Sequence, residues 1–166
     1  MSKTQENLQT AFAGESQANR KYLAFAKVAE KEGKPNLAKL FRVVADGETI
    51  HALKHLGVLG QVKDSIENVK AAIAGETYET ETMYPEFIAE AQAENNGAAG
   101  ISFMGANAVE KTHQATFIKA LEAVEAGSDI QAREYHICSV CGELFEGEMP
   151  DNCPICKAPK EKFYQI

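Results

Sequence analysis

Apolar residues recur along the first three quarters of the chain at helical spacing. From about residue 4 to 31 the stripe reads Leu8, Phe12, Glu15, Asn19, Tyr22 and Ala26. Gly33-Lys34-Pro35-Asn36 breaks it. The spacing predicts a second helix from about 36 to 59, capped by Asn36. Its inward stripe is expected to hold Leu37, Leu40, Phe41, Val44, Glu48, His51 and His55. So short a break makes the two helices antiparallel neighbours. Residues 60–78 read as a longer connection, holding a short helix from Ser65, its cap, to Ala74 that Gly75 stops. A third helix is predicted over 79–95, ending at Asn95-Asn96-Gly97, and a fourth over 99–126. The fourth carries Phe103, Ala106, Glu110, His113, Phe117 and Leu121 on one stripe, and Gly127-Ser128-Asp129 closes it.

The pattern then changes. From Glu134 onward come all four cysteines and three of the five prolines. The expected organisation is therefore a helical bundle over 1–127, a linker over 128–133 and a separate small domain over 134–166. A segment that short cannot bury enough apolar surface to fold alone, so a metal is its expected staple.

Overall composition adds exclusions. The chain has 166 residues, 45% hydrophobic and 25% charged, with net charge -7 and no basic cluster. Nucleic acid and anionic membrane are not expected partners. The N-terminal residues lack the apolar core of a signal peptide, and no apolar run reaches the roughly 20 residues of a membrane helix. The expected location is cytoplasmic. In a reducing compartment, cysteines confined to the last 29 residues read as metal ligands rather than disulfides.

Two motifs carry the chemistry. Glu48-Thr49-Ile50-His51 and Glu110-Lys111-Thr112-His113 each place a carboxylate and an imidazole on one helix face. A single Glu-x-x-His carries little information. Position carries more: Glu15, Glu48 and Glu110 each follow an apolar residue by one turn, on the stripes expected to face a core. Buried carboxylates need a counter-charge, and no matching set of inward Lys or Arg is evident. A pair of metal ions answers that need, and carboxylate with imidazole suits iron or manganese. Buried Glu–His salt bridges with otherwise solvated faces are the plainer alternative. A weak internal echo runs through the bundle: each helix pair supplies Glu, then Glu-x-x-His. That is the known ligand pattern of di-iron carboxylate bundles. The second motif is Cys138-Ser139-Val140-Cys141 with Cys153-Pro154-Ile155-Cys156, two knuckles that can close a tetrahedron around one metal. Structural zinc in a zinc ribbon and a single redox-active iron both fit it. Tyr135, Phe145, Phe163 and Tyr164 are the expected small core, and His136 is expected at the surface.

Taken together, the sequence resembles the rubrerythrin family over essentially its full length. The matching segments are Ala13-Gly14-Glu15-Ser16-Gln17-Ala18, the two Glu-x-x-His motifs, Gly75-Glu76-Thr77-Tyr78-Glu79 with Met83-Tyr84-Pro85, and both knuckles. The resemblance implies a mainly α fold: a four-helix ferritin-like bundle with a di-iron site, followed by a small rubredoxin-like four-cysteine metal domain holding one mononuclear iron. It implies that Glu15, Glu48 and His51 hold one iron and that Glu79, Glu110 and His113 hold the other, with Glu48 and Glu110 bridging. Tyr22 and Tyr84 match tyrosines that hydrogen-bond the ligands. The implied activity is a non-haem peroxidase reducing hydrogen peroxide in oxidative-stress protection. Electrons would come from NAD(P)H through an external reductase or rubredoxin, in a homodimer or larger homo-oligomer. Thr82 stands directly before Met83-Tyr84-Pro85, where the resemblance leads one to expect a further glutamate. Either Glu81 substitutes through a helix irregularity, since Pro85 cannot donate to the Glu81 carbonyl, or the site keeps four Glu and two His. A ferroxidase or iron-handling protein, and a non-redox helical binding module with a structural zinc ribbon, are the competing readings.

Overall fold

In the computed structural model, Ser2 starts the first helix with a reciprocal cap. Its hydroxyl accepts from the Gln5 amide at 3.3 Å, and the Gln5 side chain accepts from the Ser2 amide at 3.0 Å. The structure describes residues 2–166; Met1, the first residue of the expected bundle, lies outside them. Two compact units emerge, 1–63 and 64–166.

The first unit is a helical hairpin, α1 (Lys3–Lys31) and α2 (Pro35–Val58). Gly33 at φ 71° turns the chain, and the Lys34 amide donates back to the Ala29 carbonyl. The predicted Asn36 cap is not used. Pro35 opens α2 instead, its fixed φ and missing N–H suited to a first helical position. The seam between the helices is built from small residues: Ala26 and Ala29 face Ala38, and Ala45 and Ala52 are also buried. Leu37, Leu40 and Val44, expected inward, are 40%, 58% and 39% exposed. The hairpin buries its alanine stripe and leaves the larger apolar stripe open. Asn19 fixes the register, donating from Nδ2 to the Ala45 carbonyl at 2.7 Å and to Thr49 Oγ1 at 2.8 Å.

The second unit begins at Asp64, whose carboxylate accepts from the Glu67 amide at 2.9 Å and caps α3 (Ser65–Tyr78). Ser65 is thus the first helical residue, not the cap. Nor does Gly75 stop the helix. The chain continues through a π-turn (Glu79–Met83) directly into α4 (Tyr84–Ala93). In place of a short helix and a separate third one there is a single rod with one wide turn. The Tyr84 amide reaches back five residues to the Glu79 carbonyl. Thr80 Oγ1 donates to the Glu76 carbonyl at 2.9 Å, and Pro85 has no N–H to miss. Asn96 caps α5 (Gly97–Glu125), which packs back along the rod with Gly100 against Ala91.

Past α5 the chain forms a three-stranded antiparallel sheet of order β2-β1-β3: β1 (Tyr135–Cys138), β2 (Leu144–Glu146) and β3 (Phe163–Gln165). Phe145 and Phe163 meet edge-to-face at 5.0 Å over the cysteines. His136, expected at the surface, is 8% exposed on the central strand.

Candidate metal centres

The helices of the first unit bring Glu15, Glu48 and His51 together, with one potential ligand atom from each within 4.8 Å of the others. His51 Nδ1 stands 3.0 Å from Glu48 Oε2 and 3.9 Å from Glu15 Oε1. The register follows from Asn19: it lies one turn after Glu15, and its partner Thr49 is next to Glu48. Tyr22, one turn further on, packs in an aromatic trio with Phe25 and Phe41.

The second unit forms the corresponding triad, but with a different first member. Glu76, Glu110 and His113 meet within the same 4.8 Å limit. His113 Nδ1 lies 2.6 Å from Glu110 Oε2. Glu79 falls outside this triad, although it shares the electrostatic neighbourhood. Burial, then the charge of Glu110, raises the carboxyl pKa of both Glu76 and Glu79. The Tyr84 phenol is raised too, first by burial and then by Glu79, Glu110 and Glu76. Glu81 is exposed and belongs to neither triad.

Glu76 was passed over in the sequence, where Gly75 read as a helix stop. A signal was present. Ala13-Gly14-Glu15 recurs as Ala74-Gly75-Glu76, and each is followed by a Tyr and, three residues later, a Phe. Glu15 precedes Tyr22 by seven residues and Glu76 precedes Tyr84 by eight. The extra residue is what the π-turn accommodates.

These side chains suit a cation. Glu76 Oε2 is buried with no hydrogen-bond partner, an oxygen that a metal would satisfy. The cysteines suit one as well. All four are free thiols, with Cys138–Cys156 and Cys141–Cys153 sulfur separations of 3.6 Å. That is too long for a disulfide and close to the roughly 3.8 Å edge of a tetrahedron with metal–sulfur bonds of about 2.3 Å. Each knuckle ends on a left-handed residue, Gly142 at φ 86° and Lys157 at φ 63°, whose amides return to the Cys138 and Cys153 carbonyls at 2.9 Å. Burial pushes the Cys141 and Cys156 thiols up. Burial also opposes ionisation of Cys138, but backbone N–H groups of Cys141 and Val140 together with the thiols of Cys156 and Cys141 bring that thiol down.

One contact inside the second unit joins the cysteine domain to the helices. Thr112 Oγ1 donates to Glu143 Oε1 at 2.9 Å. Glu143 is 5% exposed, and its backbone carbonyl accepts from the Cys138 amide. Thr112 is adjacent in sequence to His113.

The class of protein is now defined: a di-iron carboxylate bundle protein with a rubredoxin-like four-cysteine site. The rubrerythrin family model matches residues 6–122, and the model of the rubrerythrin rubredoxin-like domain matches residues 136–164. Nigerythrin of Nitratidesulfovibrio vulgaris is 35% identical over 96% of this chain and 85% of its own. Rubrerythrin-2 of Clostridium acetobutylicum is 34% identical over 96% of this chain and 95% of its own. A solved structure of partially reduced nigerythrin covers 100% of this chain and 88% of its own, with TM-score 0.59 and 33% identity; a fully reduced, all-ferrous nigerythrin matches equally well. The chain belongs to the rubrerythrin family, whose members are oxidoreductases. Among the described residues no helix is long and apolar enough to cross a membrane.

Proposed function

We propose that this protein is a non-haem peroxidase that reduces hydrogen peroxide to water, using electrons relayed through its four-cysteine iron from an external reductase and ultimately NAD(P)H. The observation that carries the reading is the pairing of two ligand types in one chain. Carboxylate–imidazole triads suit a redox-active metal pair, and a tetrathiolate site suits one-electron transfer.

Glu15, Glu48 and His51 would hold one iron, and Glu76, Glu110 and His113 the other, with Glu79 one turn beyond Glu76. When bound, the irons supply two electrons to the O–O bond of hydrogen peroxide, which with two protons becomes two waters. The chain's own groups do the rest. In the metal-free site, burial and the charge of Glu110 hold the Glu76 and Glu79 carboxyls above the usual carboxylate range, a repulsion that bound cations would relieve. Tyr84 stays protonated and is able to donate a hydrogen bond. The Thr112–Glu143 bond holds Cys138 on a short bonded route toward His113.

The test is a division of labour. Cys138→Ser should abolish NADH-coupled turnover, while chemically reduced protein still consumes one equivalent of peroxide. Losing that single turnover as well counts against the relay. Colourless protein with one zinc and no iron favours a zinc-ribbon binding module. Mineral formation under excess iron favours a ferroxidase.

A further inference from the structure

A carboxylate buried beside a cluster of thiols needs a physical reason, because neither burial nor neighbouring sulfur favours its charge. Glu143 is such a group. It is the first residue past Gly142, whose left-handed backbone closes the first cysteine knuckle. Its own backbone is held on both sides. The amide donates to the Cys141 sulfur, and the carbonyl accepts from the Cys138 amide at 2.9 Å. The side chain is buried against α5.

Thr112 accounts for one of its oxygens. The Thr112 hydroxyl donates to Glu143 Oε1 at 2.9 Å. Other threonines of the same unit turn that hydroxyl onto their own helix. Thr77, Thr80 and Thr116 donate to the carbonyls of Ile73, Glu76 and Thr112, each four residues back. Thr112 instead reaches out of α5.

The second oxygen is not accounted for. Glu143 Oε2 is buried and has no hydrogen-bond partner among the described residues. Buried carboxylate oxygens are almost always bonded, so an unpaired one marks a partner still to arrive. His113, next to Thr112 on α5, is the group that faces it. Burial pushes the Glu143 carboxyl up, and the Thr112 hydroxyl and the His113 imidazole both oppose that rise. His113 also has a nitrogen to offer. Its Nδ1 lies 2.6 Å from Glu110 Oε2 and so faces the triad, while Nε2 bonds to no described residue. An imidazole that binds metal through one nitrogen carries its proton on the other. That N–H is normally held by a carboxylate, a carbonyl or water.

We propose that Glu143 is a positioning residue for His113: Oε2 accepts the Nε2–H of that imidazole when Nδ1 binds metal. The cysteine knuckle then fixes the tautomer and orientation of a ligand in the carboxylate centre, to which it contributes no ligand itself. The bonded route from the Cys141 sulfur runs through the Glu143 amide and side chain to the His113 ring. The proposal rests on the di-iron reading above.

The test uses the full chain loaded with zinc(II), which is diamagnetic and accepts carboxylate, imidazole and thiolate ligands alike. Two quantities are read: NMR of the labelled imidazole nitrogens, and zinc affinity by chelator competition. In wild type, His113 should carry its proton on Nε2, and that proton should exchange slowly with water. Glu143→Gln keeps an oxygen for Thr112 but sets an amide NH₂ against the ring N–H. The slow proton should vanish, and zinc at the Glu110–His113 site should bind about 10–100-fold more weakly. Thr112→Val leaves the carboxylate in place and should keep the slow proton. A purely structural strut gives the opposite order, with Thr112→Val damaging and Glu143→Gln like wild type, and that result overturns the proposal. A further outcome needs no variant to fold. Wild type that binds zinc through His113 Nδ1, yet exchanges its Nε2 proton freely with water, overturns the proposal and leaves the di-iron reading standing. Wild type that binds no metal at its carboxylates overturns both.

Discussion

The two halves of the helical region are variations on one plan, and the spacing of their marked residues differs by a single position. Ala-Gly-Glu, then Tyr, then Phe opens each half, and Glu-x-x-His follows on the return helix. The aromatic trios are nearly superposable in their internal spacing. Tyr22, Phe25 and Phe41 sit 6.2, 6.2 and 5.6 Å apart, and Tyr84, Phe87 and Phe103 sit 6.4, 6.4 and 5.5 Å apart. Yet one half has an extra residue between Glu and Tyr. In a regular helix that residue would swing Tyr84 about 80° off the Glu76 stripe. The π-turn absorbs it, so Glu and Tyr keep a common face. The second half also has a carboxylate at Glu79 whose pKa is raised by burial and by Glu110. An insertion has made the two halves chemically unequal while sparing their packing.

The strongest way to break this comparison is at Glu76. If it is the counterpart of Glu15, then Glu76→Ala and Glu15→Ala should each eliminate the iron pair and lower peroxide turnover by more than the roughly 10–100-fold typical of a supporting residue. Iron content checks this; a fully loaded Glu76→Ala protein would sink the equivalence. A smaller effect is expected at Asn19. Asn19→Ala leaves the Ala45 carbonyl and Thr49 without that buried donor and should cost about 1–3 kcal/mol, read by chemical denaturation. Next comes pH. For Glu76 and Glu79 the folded-state pKa lies above the unfolded value, so the metal-free protein binds more protons when folded. The contribution of these two groups to its stability should be greatest in acid and be lost as pH rises through the raised values. Metal-loaded protein should show the reverse, releasing iron as protons compete for those carboxylates. Thermal melts of both forms against pH test the opposition. The smallest effect should follow deletion of Thr82. A continuous α-helix with Tyr seven residues after Glu76 should form, with a melting temperature within a few degrees of wild type. Collapse of the helix would mean that the wide turn has a structural role of its own.

How much of this was legible beforehand depended on local signals. Helix ends marked by Gly33, Asn95-Asn96-Gly97 and Gly127 stand where the sequence put them, because left-handed or capping positions leave a chemical trace. The cysteine knuckles were legible for the same reason. Gly75 misled because glycine inside a helix costs only about 1 kcal/mol, which neighbouring contacts outweigh. One of those contacts is the 2.7 Å bond from Gln114 to Thr77. The alanine seam between α1 and α2 went unread because alanine carries little weight in a periodicity argument, whereas Leu37, Leu40 and Val44, which stay open on the hairpin, carry much. Which of two apolar stripes is buried within a unit is decided by tertiary packing, and there small residues let helices approach. His136 was misplaced because a histidine on a short strand gives no sign of which face is covered.

The segment between α5 and the sheet has a further consequence. Only Ala126–Glu134 separates the last helical turn from β1, and the Thr112–Glu143 bond shortens that leash again. The tethered domain is therefore present near α5 at an effective concentration of roughly millimolar order, whatever the concentration of protein in solution. If the proposed relay operates, delivery from the cysteine site to His113 should be first order and indifferent to dilution. Only the encounter with the external donor should depend on how crowded the solution is.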